Sequence, residues 1–450
     1  MSFPRYPKYK ASGVEWLGEV PQHWEVKVLK RIVSTPITDG PHETPDFPDE
    51  GIPFVSAEAV ATGTIDFTKI RGFISAADHQ RYSEKYRPRI GDVYMVKSGA
   101  TTGVTAIVET DIEFNIWSPL AAIRCGGQAL PRFVLNFLRS RNFQEGVTLN
   151  WSFGTQQNIG MRVIENLAVS LPPVAEQTKI AEFLDRETSK IDGLVGEQRR
   201  LMELLKEKRQ AVISHAVTKG LNPHAPLKPS GIEWLGEIPE HWRLAAVRFR
   251  YTVQLGKMLD TEKITGKHLQ PYLRVFDVQW GAINVEELPQ MDFDPSVRDR
   301  FRLTPGDLLI NEGGSYPGRS AIWNGELEEC YFQKALHRLR PCDATTDTTR
   351  FFFYIMAWAT ARGVFTAGGN ESTIEHLPAE KFRKYRFAFP PMSEQLAIAD
   401  FLDQELGRFD ALTAEAERGI ELLQERRTAL ISAAVTGQID VRGLAETGEA

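Results

Sequence analysis

Two long stretches of the chain carry apolar residues at the alternating three- and four-residue steps of a helical seam. The positions are Ile180, Leu184, Ile191, Leu194, Leu201, Leu205 and Val212 in the first stretch, and Ile398, Leu402, Phe409, Leu412, Leu423 and Leu430 in the second. Such spacing is typical of helices that pack side by side. Each stretch predicts a helix of about 40 residues, or about 60 Å. The alternative is two separate amphipathic helices, each lying on its own domain.

Outside these stretches, short apolar runs alternate with turns. A Gly-Asp pair precedes an apolar run at residues 91–96 and again at residues 306–310, and each arrangement predicts a turn that enters a strand. Residues 131–139 and 351–361 predict short helices. Short strands mixed with short helices predict compact α+β domains.

The chain contains the same framework twice. The sequence SGVEWLGEVPQHW at residues 12–24 returns as SGIEWLGEIPEHW at residues 230–242, an offset of 218. PPVAEQTKIAEFLDRETSKID, which begins at residue 172, returns at the same offset from residue 390 as PPMSEQLAIADFLDQELGRFD. Two separate repeats at one offset indicate a tandem duplication of a half-molecule.

The regions between the repeated segments have diverged. Residues 34–89 and 252–304 show little similarity that can be aligned, whereas residues 91–107 and 306–322 match again at an offset of 215. The offset returns to 218 before the long helical stretches. A constant frame around a variable insert is the pattern expected of a scaffold that presents two different binding domains.

The repeats divide the chain into six segments. These are a frame segment with the first domain (1–171), a first spacer helix (172–218), a linker (219–229), a frame segment with the second domain (230–389), a second spacer helix (390–436) and a C-terminal tail (437–450). The linker KGLNPHAPLKP is rich in proline, which disfavours a helix at the preceding residue and ends the first helix.

Composition limits the kind of protein this can be. The 450 residues are 42% hydrophobic and 25% charged, as in soluble globular domains, and no apolar run reaches the ~18 residues of a membrane span. The N-terminal sequence has no apolar signal-peptide region, so we expect a cytoplasmic protein without membrane contact. Cys125, Cys330 and Cys342 are too few and too scattered for a disulfide framework or a zinc site.

The charge balance argues against a non-specific nucleic-acid coat. The formal net charge is −6, whereas such coats normally carry a strong basic excess. One stretch, between residues 67 and 97, is nevertheless locally positive. It contains Lys69, Arg71, Arg81, Lys85, Arg87, Arg89 and Lys97 against Asp78, Glu84 and Asp92. A local basic surface is therefore compatible with the acidic whole.

In combination, these segments closely resemble the specificity subunits of type I restriction–modification systems. The resemblance lies in the SG(V/I)EWLGE(V/I)P(Q/E)HW frame, the PP and EQ residues that open each long helix, the AVT that ends it, and the GD and AI residues around each glycine loop. It covers residues 12–439. It implies an α+β fold with two pseudo-repeated target-recognition domains separated by two long antiparallel coiled-coil helices. Each domain is expected to read one half of a bipartite, asymmetric site in double-stranded DNA.

The resemblance also implies partner subunits. The helices would set the gap between the half-sites and dock two methyltransferase subunits, with motor–nuclease restriction subunits joining to complete the assembly. The chain itself is expected to be non-catalytic and to bind no metal or cofactor, while S-adenosylmethionine, ATP and Mg²⁺ belong to the partners. The sequence agrees, because it contains no glycine-rich S-adenosylmethionine motif after a strand and no N-P-P-Y or D-P-P-Y box.

Two glycine loops are candidates to touch DNA. The loop at residues 313–320, GGSYPGRS, differs from the phosphate-binding loop motif at one required residue, because Arg319 replaces the lysine. The corresponding residue of the first half is Val104. We therefore exclude ATP binding. A tight glycine turn can still bring polar side chains close to a partner. The candidates are Lys97, Thr101 and Thr102 in the first half, and Asn311, Tyr316 and Arg319 in the second. The alternative is a turn that only closes two strands.

Two polar loops, GTQQN at residues 154–158 and GGNEST at residues 368–373, lie just before the frame resumes. Gln and Asn side chains can bind adenine with two hydrogen bonds. The second group of DNA-binding candidates is therefore Gln156, Gln157, Asn370 and Ser372. The alternative is that these residues cap the segment that follows.

The aromatic and histidine residues of the frame suggest packing of the entry segment rather than a ligand cage. They are Trp16, His23 and Trp24, with Trp234, His241 and Trp242 in the second copy. The helix starts carry Glu176, Gln177 and Asp185, with Glu394, Gln395 and Asp403 as counterparts, where acidic groups favour the helix dipole.

Two other functions stay open at this point. One is a coiled-coil scaffold that does not bind DNA, but a scaffold gives no reason for the two inserts to differ. The other is a methyltransferase in its own right, which the missing cofactor motifs argue against.

Overall fold

The computed structural model describes residues 3–61, 63–153, 157–259, 265–314, 317–365 and 376–444. The chain forms two compact units, one made of residues 1–198 and 417–450 and the other of residues 199–416. In the described part of the chain, no helix is long and apolar enough to cross a membrane.

In the first unit, short elements precede the first long helix. The strands are β1 (Tyr9–Ala11), β2 (Glu19–Pro21), β3 (Glu25–Val28), β4 (Thr38–Asp39), β5 (Ile52–Val55), β6 (Gly72–Ile74), β7 (Val93–Val96), β8 (Thr105–Ile107), β9 (Asn115–Ile116), β10 (Leu120–Ile123), β11 (Ser152–Phe153), β12 (Gln157–Asn158) and β13 (Ala168–Leu171). The helices are α1 (Ala76–Lys85), α2 (Pro131–Arg139), α3 (Arg141–Asn150), α4 (Met161–Asn166) and the beginning of α5 (Val174–Lys219).

Two sheets organise the first unit. The larger has the antiparallel order β4-β10-β7-β8, and the smaller has the order β6-β5-β9, in which β5 and β9 run parallel. Every residue of β7 and β10 is buried, so the larger sheet is covered on both faces. One cover is α2, which begins with Pro131 at a position where proline's missing N–H costs nothing. Phe133 and Phe137 of α2 share a core cluster with Val93 of β7.

The second unit has its own set of short elements before the second long helix. The strands are β14 (Leu227–Pro229), β15 (Glu237–Pro239), β16 (Arg243–Ala246), β17 (Tyr251–Leu255), β18 (Leu269–Leu273), β19 (Val278–Gln279), β20 (Ala282–Ile283), β21 (Gln290–Asp292), β22 (Leu308–Asn311), β23 (Ser320–Ile322), β24 (Tyr331–Phe332), β25 (Leu336–Pro341) and β26 (Arg386–Phe389). The helices are α6 (Pro295–Phe301), α7 (Thr349–Ala361), α8 (Ala379–Phe382) and α9 (Met392–Val435), which continues beyond this unit.

The second unit repeats the topology of the first. Its larger sheet has the order β17-β25-β22-β23 and its smaller sheet the order β21-β18-β24, again with one parallel pair, β18 and β24. The frame closes alike in each unit, because β3 pairs with β13 and β16 pairs with β26. We call residues 33–159 the first insert and residues 251–377 the second insert. Inserts that share little sequence therefore share a fold.

In the first unit the start of α5 lies beside the end of α9. Ile180 and Leu184 belong to the same core cluster as Leu430. Arg427 Nε lies 2.9 Å from Asp192 Oδ1, so a charged pair joins the two helices at their exposed edge. The helices therefore pack antiparallel in this unit.

In the second unit the end of α5 lies beside the start of α9. Leu205 and Ile213 share a cluster with Leu406, and Arg209 Nη1 lies 2.5 Å from Asp410 Oδ1. The packing is again antiparallel. The two predicted long helices are confirmed, with 46 residues in α5 and 44 in α9.

The predicted apolar seam is interrupted in the middle of each helix. Leu194, Leu201 and Leu412 are 47%, 41% and 46% exposed, so their assignment to the buried seam is wrong. Val195 is buried in place of Leu194. A straight helix has 3.6 residues per turn, so a strict seven-residue repeat drifts off the buried face by ~20° per heptad.

The shorter elements agree with the sequence pattern. The helices predicted at residues 131–139 and 351–361 are α2 and α7, and the strands predicted after each Gly-Asp pair are β7 and β22. The end of the predicted linker forms β14, which pairs antiparallel with β15. The boundaries of the six segments stay predictions.

Candidate nucleic-acid interface

A carboxylate at the start of α5 fastens the frame of the first unit. Glu176 Oε1 accepts a hydrogen bond of 3.1 Å from the indole Nε1 of Trp24, and Glu176 Oε2 lies 2.8 Å from Nε2 of His23. The Tyr6 hydroxyl donates to the same carboxylate. Glu176 and Trp24 are both buried. The carboxylate thus serves the entry segment rather than a ligand.

The second unit repeats this arrangement with Glu394. Trp242 Nε1 donates to Glu394 Oε1 at 3.1 Å, and His241 Nε2 lies 2.7 Å from Glu394 Oε2. Trp16 packs edge-on against a phenylalanine of its own unit, and Trp234 does the same in the other. The prediction that the frame aromatics pack the entry segment onto its domain is confirmed.

The glutamine that follows each of these glutamates ties the insert to the helix. Gln177 Oε1 accepts from the Leu130 N–H at 2.7 Å, while Gln177 Nε2 donates to the Pro172 carbonyl at 2.8 Å. Gln395 Oε1 accepts from the Thr348 N–H at 3.1 Å. Both glutamines are fully buried, and both the oxygen and the nitrogen of each amide are hydrogen-bonded, so each amide joins its domain to its helix.

The first glycine loop meets the first polar loop. The Gly99 N–H donates to the Gln157 carbonyl at 3.0 Å, and the Ile159 N–H donates to the Lys97 carbonyl at 2.8 Å. Thr102 Oγ1 donates to the Gly99 carbonyl at 2.7 Å, which closes the turn. The structure therefore brings Lys97 and Thr102 of the first glycine loop close to Gln157, a candidate about sixty residues away in the sequence.

Glycine is required at two corresponding positions of these loops. Gly103 has φ +93° and Gly318 has φ +87°, both in the left-handed region that side chains disfavour. A Cβ at Gly103 would also overlap the Gln144 amide. The prediction of a tight glycine turn is confirmed, and its contact with DNA stays a prediction.

Lys97 is not a free cation in this structure. It is only 9% exposed, and its Nζ lies 3.0 Å from Asp39 Oδ2. Lys85 Nζ lies 2.8 Å from Asp39 Oδ1. Burial acts to raise the pKa of Asp39, but the hydrogen bonds from Lys85 and Lys97 lower it below its ordinary value. Lys97 would have to exchange Asp39 for a base or phosphate in order to bind DNA directly.

The second glycine loop is fastened on both sides. Asn311, which is 1% exposed, donates through Nδ2 to the Val275 carbonyl at 3.1 Å, and Arg319 donates through Nη1 to Gln279. These contacts attach the loop to the turn at residues 274–280. Asn311 Nδ2 and Arg319 Nη1 thus make contacts inside the protein, and the contact of these residues with DNA stays a prediction.

Of the remaining DNA-binding candidates, two lie among the described residues and four lie outside them. Thr101 is a half-buried residue of the first glycine loop, and Gln157 is exposed. Gln156, Tyr316, Asn370 and Ser372 lie outside the described residues.

The aspartate of each Gly-Asp pair anchors an arginine across the larger sheet. Asp92 accepts from Arg124 Nε and Nη2, both at 2.7 Å, and Asp307 accepts from Arg340 at 2.5 and 2.7 Å. Both aspartates are almost fully buried. Two parallel hydrogen bonds between arginine and carboxylate fix the geometry as well as the charge. The sequence identified this pair only as a turn signal.

The locally basic stretch of the first insert is largely neutralised by acidic side chains. Lys69 pairs with Asp66, Arg71 with Glu58, Arg81 with Asp78 and Glu43, Lys85 with Asp39, and Arg87 with Glu113. The number of basic residues along this stretch therefore overstates the positive charge of its surface. Partners from distant segments, such as Glu43 and Glu113, decide the local charge.

Sequence reasoning missed Asp39 and Gln279, which contact Lys97 and Arg319 from other strands, and it missed Glu312. Glu312 occupies in the second insert the position that Lys97 occupies in the first. The Glu312 N–H donates to the Ala335 carbonyl at 2.9 Å and the Lys97 N–H to the Pro119 carbonyl at 2.7 Å. Aligning the two halves at the offset of 215 places Glu312 opposite Lys97. The replacement of a positive by a negative side chain can therefore be seen in the sequence.

The described residues form no candidate metal centre. In that part of the chain no group of three or more histidine, cysteine, aspartate or glutamate residues is placed to hold a metal ion.

Comparison with solved structures gives the class of this fold. A chain from a structure describing complex assembly and conformational transition of the type I R-M system aligns with a TM-score of 0.66 and 18% identity, over 93% of this chain and 99% of the other. The HsdS subunit from Thermoanaerobacter tengcongensis aligns with a TM-score of 0.55 and 17% identity, over 93% and 98%. The two-unit α+β fold is therefore that of type I specificity subunits.

Sequence comparison gives the family. The type I restriction modification DNA specificity domain matches residues 21–199 and 298–422, and the chain belongs to this family. The putative type I restriction enzyme MjaX specificity subunit of Methanocaldococcus jannaschii is 24% identical, over 95% of this chain and 96% of the relative. The type I restriction enzyme EcoKI specificity subunit of Escherichia coli is 20% identical, over 88% and 84%.

Proposed function

We propose that this chain is the DNA-reading subunit of a type I restriction–modification complex, in which each insert reads one half of a bipartite, asymmetric site. The observation that carries the proposal is the pair of inserts with one topology and different loop chemistry, as at Lys97 and Glu312. A duplicated fold with unlike loops suits two unlike half-sites, just as a symmetric dimer suits two like ones. Joining both readers in one chain makes the second contact intramolecular.

The long helices have a second role in this proposal. They set the spacing between the half-sites and dock two methyltransferase subunits, and motor–nuclease subunits join to complete the restriction complex. The chain is non-catalytic and holds no cofactor, while the partners bind S-adenosylmethionine, ATP and Mg²⁺. The absence of cofactor motifs from the sequence supports this division.

A binding experiment with the assembled complex tests the proposal. The full chain is combined with its methyltransferase subunits and incubated with a library of random duplexes, and the bound fraction is sequenced. We expect one split motif, with affinity that falls steeply as salt rises. Equal recovery of all duplexes would refute DNA reading, and footprinting that protects no DNA would favour a pure scaffold. Heat of S-adenosylmethionine binding to the isolated chain would contradict the non-catalytic assignment.

A further inference from the structure

Glu312 stands at the junction of three segments of the second insert. It opens the glycine loop, its N–H donates to the Ala335 carbonyl at 2.9 Å, and its carbonyl accepts from the Leu377 N–H at 2.6 Å. Its backbone is therefore held on both sides. Because the backbone is already ordered, binding through this side chain would carry no additional cost of ordering the backbone.

The Glu312 carboxylate has no fixed partner among the residues that the structure describes. No hydrogen bond and no ion pair within 4.0 Å ends on it there. Burial raises the pKa of its carboxyl group, against the opposite influence of His376 and Lys334. The Glu312 side chain is half-buried, and the side chains of His376 and Lys334 are exposed. The carboxylate is thus available to a ligand.

Asn311 and Arg319, which flank the glycine loop, each donate a hydrogen bond inside the insert. Asn311 binds the Val275 carbonyl and Arg319 binds Gln279. At the corresponding position of the first insert, the Lys97 cation is neutralised by Asp39. Glu312 is therefore the charged group of this pair that can still accept a hydrogen bond.

We propose that Glu312 is a specificity-determining residue of the second insert, and that its carboxylate accepts a hydrogen bond from the exocyclic amino group of a cytosine in the major groove. This inference rests on the proposed function. An ionised carboxylate can only accept, so it pairs with cytosine N4 and repels the acceptor atoms that guanine and thymine present there. Adenine also offers an amino group, but its N7 acceptor lies beside that group and disfavours the carboxylate. The Lys334 ammonium group offsets part of the repulsion between the carboxylate and the DNA phosphates.

The test uses the full chain in its methyltransferase complex and the same random duplex library. Glu312→Gln keeps the shape but adds a donor, so the complex should lose roughly 10- to 100-fold discrimination at one base pair of one half-site. Glu312→Ala should lose the same preference. Glu328→Gln is the matched control, because Glu328 is exposed in the same unit, near the opposite end of the β22–β23 pair, and should leave the whole motif unchanged.

Each result decides the matter. An altered preference at one position in both Glu312 variants, with the other half-site intact, supports the inference. An unaltered motif in both variants overturns it, as does a uniform loss of binding to all duplexes. If the wild-type complex itself selects no motif, the proposed function fails first, and the assignment of Glu312 falls with it. Unfolding midpoints within about 2 °C of wild type establish that the variants are folded.

Discussion

The two inserts have the same backbone plan and different chemistry at matching positions. In the first insert β4 pairs Asp39 with Ala121, and in the second β17 pairs Leu255 with His337 at the same place in the sheet. The glycine loops repeat this contrast, because Lys97 in one corresponds to Glu312 in the other. Backbone hydrogen bonds hold both loops in the same way while the side chains change. A fold of this kind can change what it recognises without changing its core.

The comparison also extends to what the inserts keep. Each has a buried aspartate after a glycine, which binds an arginine of the neighbouring strand with two hydrogen bonds. Each has a glycine where the edge of the larger sheet approaches the smaller one. A Cβ at Gly40 would overlap the Ile116 carbonyl, and a Cβ at Gly256 would overlap the Phe332 carbonyl. These shared features stabilise the sheet, and the differing ones surround the loops.

The largest expected effect is a loss of stability when the aspartate of a buried arginine–aspartate pair is removed, and its size should differ between the two inserts. Asp92→Ala should destabilise the first insert by about 3–5 kcal/mol, because it leaves a largely buried Arg124 cation unpaired. Asp307→Ala should cost the second insert less, about 2 kcal/mol, since the Arg340 side chain is 35% exposed against 19% for Arg124. Amide hydrogen exchange of β7 and β22 measures each insert by itself. Equal losses of stability in the two variants would contradict the idea that the exposure of the arginine decides the cost.

The second prediction concerns pH and the second insert alone. Burial lowers the pKa of His337 to about 4 from its ordinary value of 6.5. The folded state therefore binds fewer protons than the unfolded state between these values, so stability is lost as pH falls through this window, by up to about 3 kcal/mol. Hydrogen exchange of β25 between pH 7 and pH 4 should show the loss.

The matching strand of the first insert provides the control for this pH effect. It carries Ala121 at the corresponding position, and β10 should not show the His337 contribution. His337→Leu should flatten the pH dependence of the second insert. An unchanged slope in that variant would show that other groups cause the acid sensitivity.

The third prediction compares the two frame carboxylates. Glu176→Ala should destabilise the first unit by about 2–3 kcal/mol, because it removes a buried acceptor from Trp24 and Tyr6. Glu394→Ala should cost about 1–2 kcal/mol, since the Glu394 side chain is 25% exposed against 7% for Glu176. Urea unfolding followed by tryptophan fluorescence measures both. A larger loss from Glu394→Ala would reverse the expected order.

The smallest expected effect concerns the charged pairs between the long helices. Arg427→Ala and Arg209→Ala should each cost less than about 1 kcal/mol, because exposed ion pairs contribute little. Their aspartate partners are 56% and 66% exposed. Thermal unfolding in low and high salt measures the effect. A loss of several kcal/mol in either variant would mean that the pair is far better shielded from water than its exposure indicates.

Much of the frame could be predicted from the sequence because its signals are local. The heptad spacing predicted α5 and α9, and the Gly-Asp pairs predicted β7 and β22. The candidates of the first glycine loop and polar loop were found separately by their residue types. Their meeting through Gly99 and Gln157 could not be predicted, because it depends on backbone contacts between distant segments.

By itself the sequence determined that the molecule is duplicated, that two long helices follow two α+β domains, and that its inserts differ. Repeats and periodicity survive in the order of residues, so they can be read without a structure. Only the tertiary structure decided that the inserts share one topology, that acidic residues largely neutralise the basic stretch and that Lys97 forms an ion pair with Asp39. Those outcomes depend on pairings between residues tens of positions apart, and electrostatic and packing energies follow distance in space rather than along the chain.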